Sequence, residues 1–310
     1  MLKAEHLTKK YGVKTALDDI SFSFDKSGIV GLLGQNGAGK STLLRILAGR
    51  LTPNSGHVLV NSHDVLWEPE LAKQYIGFLP EIPALYNEMT VYDQLCFLCK
   101  LKGVYSADID KHIRNIAEKT GLSDVLERVI GHLSKGYRQR VGLASALTGN
   151  PEIILLDEPA SGMDPVQINE FHQLIKGLAS DRLVILSTHQ LHFLDGLCTS
   201  ALILHEGQLI KDLKIINDTV ATRILHVEIA AGQDAGIKLL SSLPSLLDIE
   251  QIKSRSPGIV SALIKCNKES PFERELFNAL KKEDIVLTEL TTVKSELEEL
   301  FLSALTQKNA

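Results

Sequence analysis

Gly34-Gln35-Asn36-Gly37-Ala38-Gly39-Lys40-Ser41-Thr42 decides the fold of this chain. It is a complete G-x-x-x-x-G-K-[ST] loop. An apolar run, Ile29-Val30-Gly31-Leu32-Leu33, leads into it, and a helical run from Leu43 to Ala48 leads out. Strand, loop and helix in that order are the setting in which the motif holds phosphate. Glycines let backbone N–H groups curl around an anion, and the helix N-terminus adds partial positive charge. Gly34, Asn36, Gly37, Ala38, Gly39 and Thr42 are expected to form the cradle. Lys40 is expected to reach the β- and γ-phosphates, and Ser41 to hold Mg²⁺. A glycine-rich turn with a chance lysine would need neither this spacing nor this context.

The rest of the chain bounds what the loop serves. Its 310 residues are enough for two domains. With 44% hydrophobic and 23% charged residues, the composition is globular. A net charge of −5 gives no general attraction to nucleic acid, and no nucleic-acid partner is expected. Cys96, Cys99, Cys198 and Cys266 are scattered, which argues against a disulfide framework and fits a reducing compartment. Cys96-Phe97-Leu98-Cys99 has no second pair, so it reads as two small apolar residues at i and i+3 of a helix rather than as a zinc site. Residues Met1 to His6 carry no apolar core of signal-peptide length. No stretch approaches 18 uninterrupted apolar residues. The expectation is a cytoplasmic protein that works on membranes only through a partner.

Periodicity places further elements around the loop. Residues 2–7 and 17–24 read as short strands, and Thr52 to Gly56 as a turn. Val58–Val60 and Ile76–Leu79 read as strands. From Thr90 to Leu133 the pattern is helical. Thr90 is placed to cap a helix that ends at Gly103, Ser106 a second that ends at Gly121, and Ser123 a short third. Another helix spans 136–149 and stops at Asn150-Pro151. Ile153–Leu156 and Leu183–Leu186 are continuous apolar runs, as in strands covered on both faces.

Asp157 and Glu158 end the first of those buried runs. A carboxylate in that place beside a phosphate loop can hold Mg²⁺, directly or through water. The next carboxylate can orient or deprotonate an attacking water. A surface acidic pair after a strand is the plainer alternative, and its position relative to the loop argues against it.

Between these parts lies Leu133-Ser134-Lys135-Gly136-Tyr137-Arg138-Gln139-Arg140. Together with Ser161-Gly162-Met163-Asp164 and Ser187-Thr188-His189, it makes the chain resemble the nucleotide-binding subunit of ATP-binding cassette (ABC) transporters. The resemblance covers roughly residues 1–215, with every element in the family's order. It implies an ATPase with ATP and Mg²⁺ as ligands. Tyr11 would stack on adenine, although a core tyrosine is the alternative there. Ser134 and Gly136 would contact the γ-phosphate held by a second subunit, and Asp164 would lie at that interface. Glu158, His189 and Lys40 would be catalytic, and Ser41, Asp157 and Glu81 would serve the metal. His192 and Asp195 could mimic a metal site but read as a solvated helix face.

The pattern departs from the family's commonest form in two places. Lys135 stands where that form has glycine and Tyr137 where it has glutamine. Glu81 stands at a loop position where many members carry glutamine. These variants, and Glu296-Leu297-Glu298-Glu299-Leu300-Phe301-Leu302 at the end, resemble the branch that pairs with separate six-helix export permeases. A permease and a second ABC subunit, in a homodimer, are the implied partners, with the protein peripheral to the inner face of the membrane.

Past residue 220 the motifs stop. Strands 224–229, 247–254, 259–264 and 285–290 alternate with helices 235–243 and 271–282, followed by a helix at 295–305. That β-α-β-β-α-β order predicts a ferredoxin-like domain. The fold class is thus α/β: a phosphate-loop cassette over 1–219 with an antiparallel β subdomain and a helical insertion at about 88–149. A small α+β accessory domain follows over 220–310. In the second domain Cys266 and His226 stand isolated in sequence, and no ligand constellation is visible. Two rival readings are a soluble ABC-type ATPase acting on nucleic acid or ribosomes, and a regulatory module in which the second domain senses a ligand. The first tends to need two cassettes or long coiled coils, and this chain has one cassette and no sustained heptads.

Overall fold

The structure is a computed structural model, and it describes residues 1–161, 163–189, 193–194, 196–214, 222–256, 258–267 and 270–292. The chain divides into two compact units, the first built on Met1–Ile215 and the second lying within Ile216–Ser303.

The first unit holds two sheets. β1 (Leu2–Tyr11) and β2 (Lys14–Phe24) form a hairpin longer than the two short strands expected from the pattern. β3 (Gly28–Leu33) runs into the phosphate loop, and α1 (Lys40–Leu47) runs out of it. β4 (Ser55–Val60), β5 (His63–Asp64), α2 (Pro69–Gln74) and β6 (Ile76–Leu79) follow. The helical block comprises α3 (Val91–Leu101), α4 (Ile109–Thr120) and α5 (Lys135–Leu147). Then come β7 (Ile153–Asp157), α6 (Pro165–Leu178), β8 (Leu183–Ser187), β9 (Ser200–His205) and β10 (Gln208–Lys214).

One sheet is antiparallel, in the order β2-β1-β4-β5; the other has the order β10-β9-β3-β8-β7-β6. In the second, β3 pairs in parallel with both β8 and β9, and β7 in parallel with β6 and β8. β3, β7 and β8 are almost wholly buried, which is why they read as unbroken apolar runs. Register brings Asp157 opposite Ser187 and Leu79 opposite Leu156. The carboxyl ends of β3, β6, β7 and β8 therefore share one edge, where open α/β sheets bind ligands. A core of Val30, Leu32, Leu43, Leu47, Ile153 and Ile185 joins this sheet to Leu2, Leu17, Ile20 and Val60 of the other.

Thr90 caps α3, its hydroxyl accepting from the Asp93 N–H. Ser106 does not cap a helix: it opens a 3₁₀ turn, Ser106–Asp108, whose end becomes the start of α4. Ser123 likewise opens only a 3₁₀ turn, Ser123–Val125, because no longer periodic run follows it. Cys96 and Cys99 are free thiols on α3, and burial pushes the Cys99 thiol up to about 11. No helix among the described residues is long and apolar enough to cross a membrane.

The second unit comprises β11 (Thr222–Ala230), α7 (Gln233–Ser241), β12 (Leu246–Ser256), β13 (Ile259–Asn267), α8 (Phe272–Lys282) and β14 (Val286–Thr292). Its sheet has the order β12-β13-β11-β14, and every pairing is antiparallel. This is the predicted split β-α-β arrangement. Leu225, Val227, Ile229, Val260, Ala262 and Ile264 form a core with Leu240, Phe272, Leu276 and Leu280. His226, Glu228 and Ser261 alternate with them along the strands and so belong to the opposite face. The helix expected at 295–305 lies outside the described residues, as do His192, Asp195 and Glu296 to Leu302.

Candidate active site

A cleft of about 380 Å³ opens at the shared strand edge. It is lined by Tyr11, Lys14 and Ala16 of the hairpin and by Asn36, Gly37, Gly39, Lys40, Ser41 and Thr42 of the loop. Glu81, Glu158 and His189 close it from the ends of the other strands. Gly39 takes φ +108°, and a Cβ there would lie 2.5 Å from the Ala16 carbonyl oxygen. Glycine is the residue that allows both the left-handed backbone and this approach of the loop to the hairpin.

Lys40 is buried, and its ammonium donates to the carbonyls of Gly34 at 2.7 Å and Gln35 at 3.2 Å. Burial pushes its pKa down, and the neighbouring Glu158 and Asp157 carboxylates push back. The Ser41 hydroxyl donates to Asp157 Oδ1 at 3.0 Å, and the Ser187 hydroxyl to the same oxygen at 2.7 Å. Ser187 Oγ also accepts from the Glu158 N–H at 3.0 Å. Glu158 sits at φ +47°, a left-handed conformation uncommon for a side chain of that size. Its Oε2 meets His189 Nδ1 at 2.8 Å. Two carboxylates, a lysine, a histidine and two hydroxyls, from the start of α1 and the ends of β7 and β8, are thus gathered around the loop.

The other sequence-predicted residues fall in different places. Gly34 and Ala38 belong to the loop's inner wall: the first gives a carbonyl to Lys40, and the second is buried. Tyr11 is half exposed at the hairpin end of the cleft, not in the core. Glu81 lines the cleft. Ser134, Gly136 and Asp164 do not line it. They make a second group: Ser134 caps α5 by accepting from the Tyr137 N–H, and Asp164 caps α6 by accepting from the Gln167 N–H. A Cβ on Gly136 would lie 2.9 Å from Gln167 Oε1, so the two helix starts touch. His192 and Asp195 are outside the described residues.

Sequence reasoning quotes Ser187 without a role of its own and misses Lys14. Ser187 carries a readable signal, since it ends its apolar run as Asp157 ends the neighbouring one. Lys14 carries none, because only the hairpin turn brings it to the loop.

Residues 17–161 match the ABC transporter family. An uncharacterised ABC transporter ATP-binding protein of Methanocaldococcus jannaschii is 34% identical over 272 residues, which are 87% of this chain and 97% of that one. The bacitracin transport ATP-binding protein BcrA of Bacillus licheniformis is 33% identical over 215 residues, 69% of each chain. The solved structure of a dimeric bacterial ABC transporter cassette superposes with a TM-score of 0.63 at 25% identity, over 69% of this chain and 98% of that one. Phosphate loop, Glu158 and His189 meet in the cleft, the family match runs through the loop and both strand-end carboxylates, and the chain belongs to the ABC transporter ATP-binding subunits, enzymes that bind and hydrolyse ATP.

Proposed function

We propose that this subunit drives solute export through a separate six-helix membrane permease, working as half of an ATP-bridged homodimer. The observation that carries the pairing is the split of the site. The loop, Glu158 and His189 line one cleft, while Ser134, Gly136 and Asp164 lie in a second group that does not line it. A head-to-tail pair brings each second group to the other copy's cleft, and two-fold symmetry closes the interface. The similarity to a dimeric cassette supports that reading.

In the cleft, Tyr11 stacks on the adenine and Asn36 to Thr42 cradle the phosphates. Lys40 neutralises charge on the β- and γ-phosphates. Ser41 and Asp157 present oxygens 3.0 Å apart, the hard donors that Mg²⁺ takes, and Glu81 faces the same space. Bound there, the ion supplies positive charge to the phosphates. Glu158 takes the proton of the attacking water, and His189 holds that carboxylate in place. In the partner's cleft, Ser134 and Gly136 contact the γ-phosphate, so its loss on hydrolysis releases the pair. Residues 1–219 carry this work, and 220–310 form an accessory domain.

The permease reading rests on exposed apolar side chains that follow Glu81 in the chain and continue along and just past α3. Ile82, Tyr86, Leu101 and Tyr105 are exposed, and the Tyr86 ring meets Phe97 edge-on at 5.9 Å. Exposed apolar clusters of this kind mark interaction sites. Bound to a permease, the protein sits at the cytoplasmic face of the membrane. The export direction rests on Lys135, Tyr137 and Glu81, and on the likeness to a relative named for bacitracin transport.

Glu158→Gln is expected to keep ATP binding, to lower turnover by about 10²–10⁴-fold, and to trap the dimer. Sedimentation with ATP reads the last point: a variant that stays monomeric removes the pairing. Gentle detergent extraction from native membranes should recover a multi-helix protein at near-equal stoichiometry. ATP-driven accumulation of solute inside inverted vesicles would establish export, and loss of solute from them would reverse its direction. Recovery in the soluble fraction with RNA or ribosomal proteins would replace the transport reading with the soluble ATPase.

A further inference from the structure

We propose that the second unit carries a divalent transition-metal site, of the Zn²⁺ or Mn²⁺ class, built from His226, Glu228 and Glu289. In sequence His226 looked isolated; the fold corrects that. His226 and Glu228 stand two residues apart on β11 and so share one face of its sheet. Glu289 of β14 is the direct cross-strand partner of Glu228. A ligand atom from each of the three lies within 4.8 Å of the other two.

Three features favour a metal over a chance ion-pair cluster. First, two carboxylates face each other directly across a strand pair, an arrangement that costs stability between like charges. A cation between them reverses the sign of that interaction. Second, the spacing is that of ligands rather than of hydrogen bonds. His226 Nδ1 lies 3.4 Å from Glu289 Oε1, longer than an ordinary hydrogen bond. Two donors about 2.0–2.1 Å from a tetrahedral ion are about 3.3–3.4 Å apart. Third, the imidazole has an outer partner. Ser261 of β13 lies 2.8 Å from Nε2, so its hydroxyl oxygen can accept a hydrogen bond from Nε2–H and leave the Nδ1 lone pair facing Glu289. Metal-bound histidines are usually fixed in this way through their second nitrogen.

The donor set is one imidazole and two carboxylates. That suits Zn²⁺ or Mn²⁺ better than Mg²⁺, which prefers oxygen alone. The three ligands come from adjacent strands of one sheet. Their spacing is held by backbone register, and a bound ion would tie β11 to β14.

The test uses the full chain, stripped of metal with chelator and free of nucleotide. Zn²⁺ is titrated against a chromophoric chelator, and Mn²⁺ is followed by its paramagnetic resonance. The expectation is one tightly held ion per chain, with X-ray absorption showing nitrogen and oxygen neighbours. His226→Gln and Glu289→Gln should each weaken binding by at least about 100-fold, and Ser261→Ala by about 10–100-fold. Zn²⁺ should also raise the melting temperature of the wild type but not of His226→Gln, as mass action requires. Circular dichroism of the metal-free variants checks that they fold; should one fail to fold, the other decides. Absence of tight binding, sulfur neighbours around the ion, or affinity unchanged in a folded variant would overturn the proposal.

Discussion

Ser187 ties the two strand-end acidic residues together from beneath the cleft. Its one oxygen donates to Asp157 and accepts from the Glu158 N–H, so it orients the Asp157 carboxylate and fixes the backbone that carries Glu158. Ser187→Ala removes both bonds with little change of volume. The expected result is a roughly 10–100-fold fall in kcat, the usual cost of losing an outer partner, with ATP affinity nearly unchanged. Steady-state kinetics beside equilibrium nucleotide binding read the two separately. Lys40 raises a different balance. Its folded-state pKa is lowered, so over the pH window from that value up to the ordinary lysine value the unfolded chain binds more protons. Without nucleotide, this group's unfavourable contribution to folding is full below the window and fades as pH rises through it. Phosphate oxygens supply the compensating charge. Lys40→Ala is therefore expected to abolish the rise in melting temperature that ATP gives the wild type, a gain of about 2.7 kcal/mol at a hundredfold excess over Kd. An undiminished shift would remove Lys40 from phosphate binding.

At the scale of elements, the hairpin of β1 and β2 and the phosphate loop behave as one piece. Gly39 approaches Ala16 so closely that a methyl group has no room, and its backbone is left-handed as well. Gly39→Ala should cost more than about 1 kcal/mol of stability and also displace the loop. Thermal melts and ATP binding should fall together, whereas a stable variant with intact binding would contradict the packing. The starts of α5 and α6 form a second pair of coupled elements. Asp164 and Gln167 make a reciprocal capping box, and Gln167 rests against Gly136. The two segments proposed to meet the partner's nucleotide are thus held to each other within one chain.

At the scale of the whole molecule, the proposed transport function depends on a surface distinct from the nucleotide cleft. Leu101 is two-thirds exposed, so Leu101→Asp should leave folding and ATP binding intact. It should abolish co-purification of the permease. Retained co-purification would move the docking surface elsewhere. The two units raise separate questions. The first has a full set of groups for ATP chemistry, while the second gathers its polar groups on one sheet face.

The sequence alone determined whatever depends on neighbours in the chain. The phosphate loop was legible because its cradle is made of consecutive N–H groups and its flanking strand and helix are contiguous. The ferredoxin-like order of the second unit was legible for a similar reason, since each element announces its own period. Some signals were present and unread. Asp164-Pro165 with Gln167 is a helix start, and the run Ala201 to Leu204 before Glu206-Gly207 is a strand leading into a turn, yet α6, β9 and β10 went unassigned. Other features have no local signal. Glu158 and His189 are 31 positions apart, and they meet because β7 and β8 pair in parallel and end together. Glu289 reaches His226 only because β14 pairs with β11, in a register that sets Glu289 opposite Glu228. Strand pairing is set by the packing of the whole sheet, so a residue's cross-strand neighbour is decided by the tertiary structure even when its own strand is plain in the sequence.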